Sequence, residues 1–395
     1  MTTDSERQPA YKTVYSSRDF ISDQVFAIQV DPQTGLARTA DVPDDLTPYY
    51  GEDYYGELEA EGRRFIPVLE AFITRFREAR MRMLLQFHPA AGRVLDVGCG
   101  RAIMLGQLKA RGWEALGTEI APELAEAAHR RGINVFIQPD LRDCGFVEGS
   151  FDAVTMWHTL EHIANPSETL AEVYRILKPG GIVLIEVPNM DSWQAVMTRG
   201  QWFHLDVPRH YWHYSTRTLL RELTSHGFEV VHTRTFSLEY GFYGYLQSLL
   251  NLFTLSPNFL YSLLRRRYAA VTARPVPAVW DIAVTVLLMP VLLPLSIILE
   301  GVAVIFFQCG SVIRVVARKP NDPGQITDSP LLLIICVRER GLFCNCDVEG
   351  NLSPVVNVRL LNGVVAAAGE RYRRIERLVY VHIQGVVRAF HEAHA

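Results

Sequence analysis

The sequence predicts an α/β fold: a parallel sheet with helices on both faces. Three observations carry this. Strand-like and helix-like segments alternate from residue 93 to 235, an apolar strand opens the series by running into a glycine turn, and glycines punctuate the helix ends. The opening stretch is Arg93 to Gly100, RVLDVGCG, with Gly98 and Gly100 at alternate positions. Glycine lacks a Cβ and tolerates positive φ, so such a turn lets backbone approach a nucleotide-like ligand closely.

The elements follow in order. Residues 62–88 read as a helix, with Phe65, Val68, Leu69, Phe72, Ile73, Phe76, Met83 and Leu84 at helical spacing. VLDVG is a strand and IMLGQLKARG a helix ending at Gly112. EALGTE is a strand, and PELAEAAHRRG a helix with Pro122 near its start. NVFIQPD and FDAVTMWHTL are strands, PSETLAEVYRILKPGG a helix with its stop, and IVLIEVP a fifth strand. STRTLLRELTSHGF is a helix capped by Ser215 or Thr216, and EVVHTRTF a sixth strand. In such sheets ligands bind beyond the carboxyl ends of the strands, where strand order reverses.

Composition bounds the function classes. The chain has 395 residues, 49% of them hydrophobic, which is enough for a large core. Its formal charge of −4 gives no global nucleic-acid footprint, so no nucleic-acid partner is expected. The cysteines are dispersed, no apolar signal segment opens the chain, and the expected compartment is cytoplasmic. Cys344 and Cys346 form a C-x-C without a second pair, so no zinc site is expected there.

Five pieces in order carry a family resemblance over about residues 90–235: VLDVGCG, an acid ending the next strand (Glu119), PDLRD with Asp140, GSFDAVTMWHTLEHIANP, and RILKPGG. Together they resemble the class I S-adenosylmethionine-dependent methyltransferases. The chain looks like the small-molecule and glycolipid branch, similar to ubiquinone-pathway O-methyltransferases and to bacterial methyltransferases of polysaccharide clusters. WFHLDVPRHYWHYS, residues 202 to 215, is the segment that suggests the latter. The resemblance implies a Rossmann-like seven-stranded sheet whose last strand is antiparallel, and S-adenosylmethionine as cofactor. It implies that Gly98, Cys99 and Gly100 pack on the methionine part and that Asp96 engages its ammonium. Glu119 would accept from both ribose hydroxyls, Asp140 from the adenine amino group, and the Leu141 amide would serve the ring nitrogen. Trp157 and His158 would close over the cofactor. A nicotinamide dinucleotide site is the rival reading, but its third glycine position holds Ile103, and it gives Asp140 no role.

A hydroxyl acceptor needs its proton removed, and histidine suits that near neutral pH. His162 is the first candidate base and His158 the second; the alternative is that His162 caps or packs at a strand end. Some relatives hold a divalent metal with a Glu–His pair like Glu161–His162, but no further acid is assignable, and no metal is expected. Trp202, His204, Arg209, His210 and His213 form the candidate substrate lid, stacking on a sugar or phenolic ring, with Arg209 for a phosphate or carboxylate. The alternative is a loop stapled down by His–Asp and Arg–backbone contacts.

Domain organisation reads as an N-terminal extension over 1–61, the methyltransferase domain over 62–237, a hydrophobic helical insertion over 238–309, the last strand over 310–319 and a tail over 320–395. In the insertion, Ile282 to Leu299 carries no charge, and Arg265-Arg266-Arg267 precedes it. If 310–318 is the last strand, both ends of the insertion belong to one soluble domain, which excludes a single crossing. The expectation is a re-entrant or interfacial helical hairpin on an anionic membrane surface, with a buried subdomain or a dimer interface as the alternative. Relatives with an N-terminal zinc module carry cysteines that this chain lacks before Cys99. Two functions of different class follow. One is a membrane-associated methyltransferase, peripheral or monotopic on the inner face of the cell membrane, acting on a glycan, a lipid-linked sugar or a lipophilic small molecule. The other is a non-catalytic S-adenosylmethionine-binding scaffold.

Overall fold

The computed structural model describes residues 11–50, 78–237, 240–264 and 275–321. The first part of the helix expected over 62–88, the Arg265–Arg267 run, Cys336, Cys344, Cys346 and the tail beyond 321 lie outside the described residues.

Seven strands form one sheet in the order β10-β11-β8-β7-β4-β5-β6. These are β4 (Arg93–Val97), β5 (Glu114–Thr118), β6 (Asn134–Phe136), β7 (Phe151–Trp157), β8 (Leu177–Pro188), β10 (Glu229–Arg234) and β11 (Val312–Arg318). β4 pairs in parallel with β5 on one side and β7 on the other. The order therefore reverses at β4, and the crevice beyond its carboxyl end is where such sheets take ligands. β11 lies between β8 and β10 and is antiparallel to both, as the resemblance implies. Near-continuous burial marks the central strands: Val183 to Val187 on β8 are buried without alternation, the pattern of a strand covered on both faces.

Helices α1 (Ile103–Lys109), α2 (Pro122–His129) and α3 (Pro166–Ile176) follow β4, β5 and β7, and α4 (Trp193–Thr198) follows β8. α5 (Thr216–Ser225) opens on a capping box: Ser215 Oγ accepts from Thr218 N at 3.1 Å, and Thr218 Oγ1 accepts from Ser215 N at 2.9 Å. Residues 78–87 are helical and bury Met81 and Leu84 in the core beside the sheet.

The N-terminal stretch is more than an extension marked by turns. β1 (Lys12–Arg18), β2 (Val25–Val30) and β3 (Ala37–Thr39) form a four-stranded antiparallel sheet completed by β9 (Trp212–His213). Phe26, Ile28 and Tyr49 from this sheet and its flank share a core with Trp202, Leu205 and Val207. The second sheet thus ties the 202–215 segment to the start of the chain.

The insertion is helical. α6 (Gly241–Asn251), α7 (Phe259–Leu264) and α8 (Pro275–Val302) lie between β10 and β11, and α8 packs along α6.

Candidate cofactor site

The glycine turn begins where β4 ends. Gly98 has φ +71° and Gly100 φ +53°. A Cβ on Gly98 would lie 2.6 Å from Thr159 Oγ1, so only glycine fits there. A Cβ on Gly100 would meet no heavy atom of the described residues within 4 Å, so among these residues the turn borders open space on that side. Cys99 N donates to Thr118 O at 2.9 Å, which ties the turn to β5. Burial pushes the Cys99 thiol up, and it packs inward against Gly117 rather than into the crevice.

Glu119 directly follows β5 and aims back at the turn. Its Oε2 accepts from Gly100 N at 2.8 Å, and its Oε1 accepts from Ile120 N and Ala121 N at 2.9 and 3.0 Å. Each carboxylate oxygen has two acceptor lone pairs, so the three amides leave one site, on Oε2, for a ribose hydroxyl; accepting from both hydroxyls would require the Gly100 bond to open. Asp96, buried on β4, accepts from Thr155 Oγ1 at 2.6 Å. Burial raises its carboxyl to about 7, against the opposing Thr155 hydrogen bond. A cationic ammonium beside it would draw off the proton. These features fit the amino-acid and ribose parts of S-adenosylmethionine.

Asp140 sits differently. It N-caps a short 3-10 turn, accepting from Arg142 N at 2.9 Å, and its carboxylate also pairs with the Arg142 guanidinium at 2.6 Å. That hydrogen bonding holds Asp140 below the usual carboxylate range. Leu141 beside it is buried. The expected adenine contact would have to compete with the cap.

Several expectations require correction. Trp157 does not close over the crevice: it is buried in the sheet core, with the Arg80 and Arg314 guanidiniums 5.1 and 5.5 Å from its ring. His158 is not a base at neutral pH. Burial disfavours its charge, but the neighbouring Glu161 and Glu186 carboxylates outweigh this and lift it to about 9. Its Nε2 lies 3.1 Å from Glu186 Oε1 and its Nδ1 3.3 Å from Glu161 Oε1. Burial opposes ionisation of Glu186, yet Arg314 and His158 hold it at about 2.

The 202–215 segment folds inward. The Arg209 side chain is fully buried and does not wait for a phosphate: Nη2 donates to Asp19 Oδ1 at 2.8 Å and to Asp206 Oδ1 at 2.7 Å, and Nη1 to Tyr49 O at 3.2 Å. Trp202 Nε1 donates to Gln194 Oε1 at 3.1 Å. His204 Nε2 meets Tyr240 O at 3.2 Å, and His213 Nε2 meets Thr39 Oγ1 at 2.9 Å. Burial holds both rings near 3, hence neutral. As a substrate lid the segment is contradicted at Trp202, His204, Arg209 and His213. Their hydrogen-bonding heads are spent on the protein.

His162 and His210 differ from these. The His162 Nδ1 lies 3.1 Å from Arg209 O and 3.0 Å from Tyr50 OH. A carbonyl only accepts, so Nδ1 carries the proton and Nε2 the lone pair. His210 packs edge-on against His162 at 4.5 Å between ring centroids, and its Nδ1 has no hydrogen-bond partner among the described residues. Glu161, His162 and His210 bring ligand-type atoms within 4.8 Å of one another. The His158 imidazolium already gives Glu161 a positive partner, though at 3.3 Å the pair is ionic rather than a directed hydrogen bond. His210 joins this group through the chain's return after Asp206, and its spacing from Glu161 in sequence gave no signal of that.

The strand order, the turn and the acidic strand ends agree with what comparison with known proteins finds. The family model of a methyltransferase domain matches residues 69–233. This part of the chain is a methyltransferase domain, similar to the class I S-adenosylmethionine-dependent enzymes. A ubiquinone biosynthesis O-methyltransferase of Xanthomonas oryzae pv. oryzae is 35% identical over 106 residues, covering 25% of this chain and 44% of that protein. A demethylmenaquinone methyltransferase of Thermus thermophilus is 34% identical over 128 residues, covering 30% of this chain and 58% of that protein. The chain thus spans about half the length of the curated relatives it matches. Superposition on a solved S-adenosylmethionine-dependent methyltransferase from Archaeoglobus fulgidus is loose, with a TM-score of 0.40 at 21% identity, covering 64% of this chain and 99% of that one. The fold assignment rests on the strand order instead.

Proposed function

We propose that this chain transfers the methyl group of S-adenosylmethionine to an oxygen of a lipophilic small molecule. A glycan or lipid-linked sugar is the finer possibility, met at the inner, cytoplasmic face of the cell membrane. The observation that carries this reading is the Gly98–Gly100 turn with Asp96 and Glu119 converging on it at the strand-order reversal. The similarity to quinone methyltransferases over the matched quarter of the chain supports a lipophilic acceptor.

The bound cofactor supplies an activated methyl on a sulfonium. The residues then have three tasks. Glu119 would hold the donor's ribose beside the glycine turn, and the buried Asp96 its ammonium end. Alignment and exclusion of water supply most of the acceleration when the leaving group is already activated. His162 Nε2, left with its lone pair by the Arg209 carbonyl at Nδ1, takes the acceptor's proton.

The test is incubation of the full chain with methyl-labelled cofactor and host lipid and soluble extracts. Label in the lipid fraction, lost in His162→Ala, is the expected result. Binding of cofactor with label in no fraction would favour the non-catalytic scaffold. Turnover left intact by His162→Ala would remove the base assignment.

A further inference from the structure

The helical insertion is built inside out. α8 carries an 18-residue window of mean hydropathy 2.7, of which only 17% is buried. Its buried positions are Asp281, Thr285, Leu292, Ser296 and Glu300, spaced four, seven, four and four apart, which is one stripe of a helix. Four of those five are polar. The outward face is aliphatic: Val279 is 70% exposed, Val286 68%, Leu287 75% and Val291 62%. A helix on a water-soluble surface shows the reverse pattern.

The neighbouring helices continue the inversion. Gln247 and Asn251 on α6 are buried and linked, Gln247 Nε2 donating to Asn251 Oδ1 at 2.8 Å. Asn251 Nδ2 donates to Asn258 Oδ1 at 2.8 Å. Leu252, Leu255 and Leu264 stand exposed around this polar interior. Polar groups turned inward and aliphatic groups outward suit hydrocarbon surroundings, where polar side chains find partners only within the protein.

We propose that α6, α7 and α8 lie in the outer hydrocarbon of an anionic bilayer, along its plane rather than across it. This deepens the membrane placement proposed above and does not depend on methyl transfer. The in-plane orientation follows from contacts at both ends of the hairpin. At one end, Glu300 Oε1 accepts from Ser311 N at 3.0 Å, beside the start of β11. At the other, Asp281 accepts from Leu255 N and Ser256 N at 2.7 and 3.1 Å. That second end also holds the domain: Asn251 Nδ2 donates to Gln201 O at 3.0 Å, and the Tyr261 ring packs edge-on against Phe203 at 5.3 Å and Phe20 at 5.9 Å. The carboxylates are 19 residues apart, about 28 Å along a helix, so the hairpin lies on the domain over nearly a bilayer core's thickness. A crossing would have to drag these contacts into lipid. The Arg265-Arg266-Arg267 run between α7 and α8 supplies the charge complement that selects anionic headgroups.

The experiment is flotation of the full chain with vesicles of phosphatidylcholine and phosphatidylglycerol. Wild type should float, and the double variant Leu287→Glu, Val291→Glu should lose flotation while keeping S-adenosylmethionine affinity. Spin labels at positions 279, 286 and 298 should report one common depth. Failure of wild type to float overturns the proposal, as does a variant that floats like wild type. A concentration-dependent dimer that the double variant dissociates would assign the face to a second copy instead. Labels grading from shallow to deep to shallow would mean a crossing. Loss of cofactor binding with flotation intact would sink the enzymatic reading and leave this one standing.

Discussion

The glycine turn and the 202–215 segment hold similar chemistry in sequence and opposite roles in structure. Both concentrate carboxylates, histidines or arginine within a few residues. At the turn, Asp96 and Glu119 come from neighbouring strand ends and face a crevice that a Cβ on Gly100 would not touch. In the 202–215 segment, Arg209 and its neighbours turn toward β1, β3 and the rest of the chain, and the heads of Trp202, His204, Arg209 and His213 find internal partners. The difference is topological. Successive parallel strands end side by side and leave their terminal side chains beyond the sheet. A loop paired into a second sheet buries its own.

The largest effect that would break this contrast lies in the segment. Arg209→Ala should destabilise the fold by about 3–5 kcal/mol, because it leaves the buried Asp19 carboxylate without its guanidinium. Denaturant unfolding reads the loss, and calorimetry on the folded fraction should show cofactor affinity nearly unchanged. A stable variant with a weakened acceptor KM would restore Arg209 to the substrate.

Next comes the turn. Gly98→Ala places a Cβ 2.6 Å from Thr159 Oγ1 at φ +71°, a clash on top of backbone strain of order 1 kcal/mol. It should weaken cofactor binding about tenfold or more. Unchanged affinity would show that the turn does not approach the ligand.

A smaller effect concerns pH. Asp96 sits near 7 through burial, above its unfolded value, so the folded protein without ligand holds a proton that the unfolded chain has lost. This contribution to stability is fully present below about pH 4 and declines as pH rises through 7. Cofactor affinity should run the other way, because the ammonium favours the carboxylate: binding releases a proton below pH 7 and tightens up to tenfold per unit before levelling off. Calorimetry in two buffers of different ionisation enthalpy counts that proton. The smallest expected change is in Thr155→Val, which removes one hydrogen bond to Asp96 and about 1–2 kcal/mol of its support. The release of that proton should shift to higher pH.

Much of this arrangement was legible beforehand, and the reasons are local. The strand-turn-helix at 93–109 is written in an apolar run followed by glycines, and the Ser215 cap in one hydroxyl before a helical period. Glu119 was legible because its role needs only the end of the next strand. The N-terminal sheet was not: its pairing with Trp212–His213 spans the whole domain in sequence, and short polar strands with turn residues look like an extension. The inward folding of Arg209 depends on Asp19, 190 positions away, and no spacing rule announces such a partner. His158 looked like a base because its type suggests one; two buried carboxylates brought by the fold make it an acid instead. The inverted polarity of α8 was present as a stripe, yet its direction became visible only with α6 packed beside it.

The most direct measurement is calorimetric titration of S-adenosylmethionine into the folded wild type and into Glu119→Ala. One charge-assisted hydrogen bond to the ribose predicts tight binding to the first and a loss of about tenfold or more in the second. Equal affinities, or a folded wild type that takes up no cofactor, would contradict the assignment of this crevice.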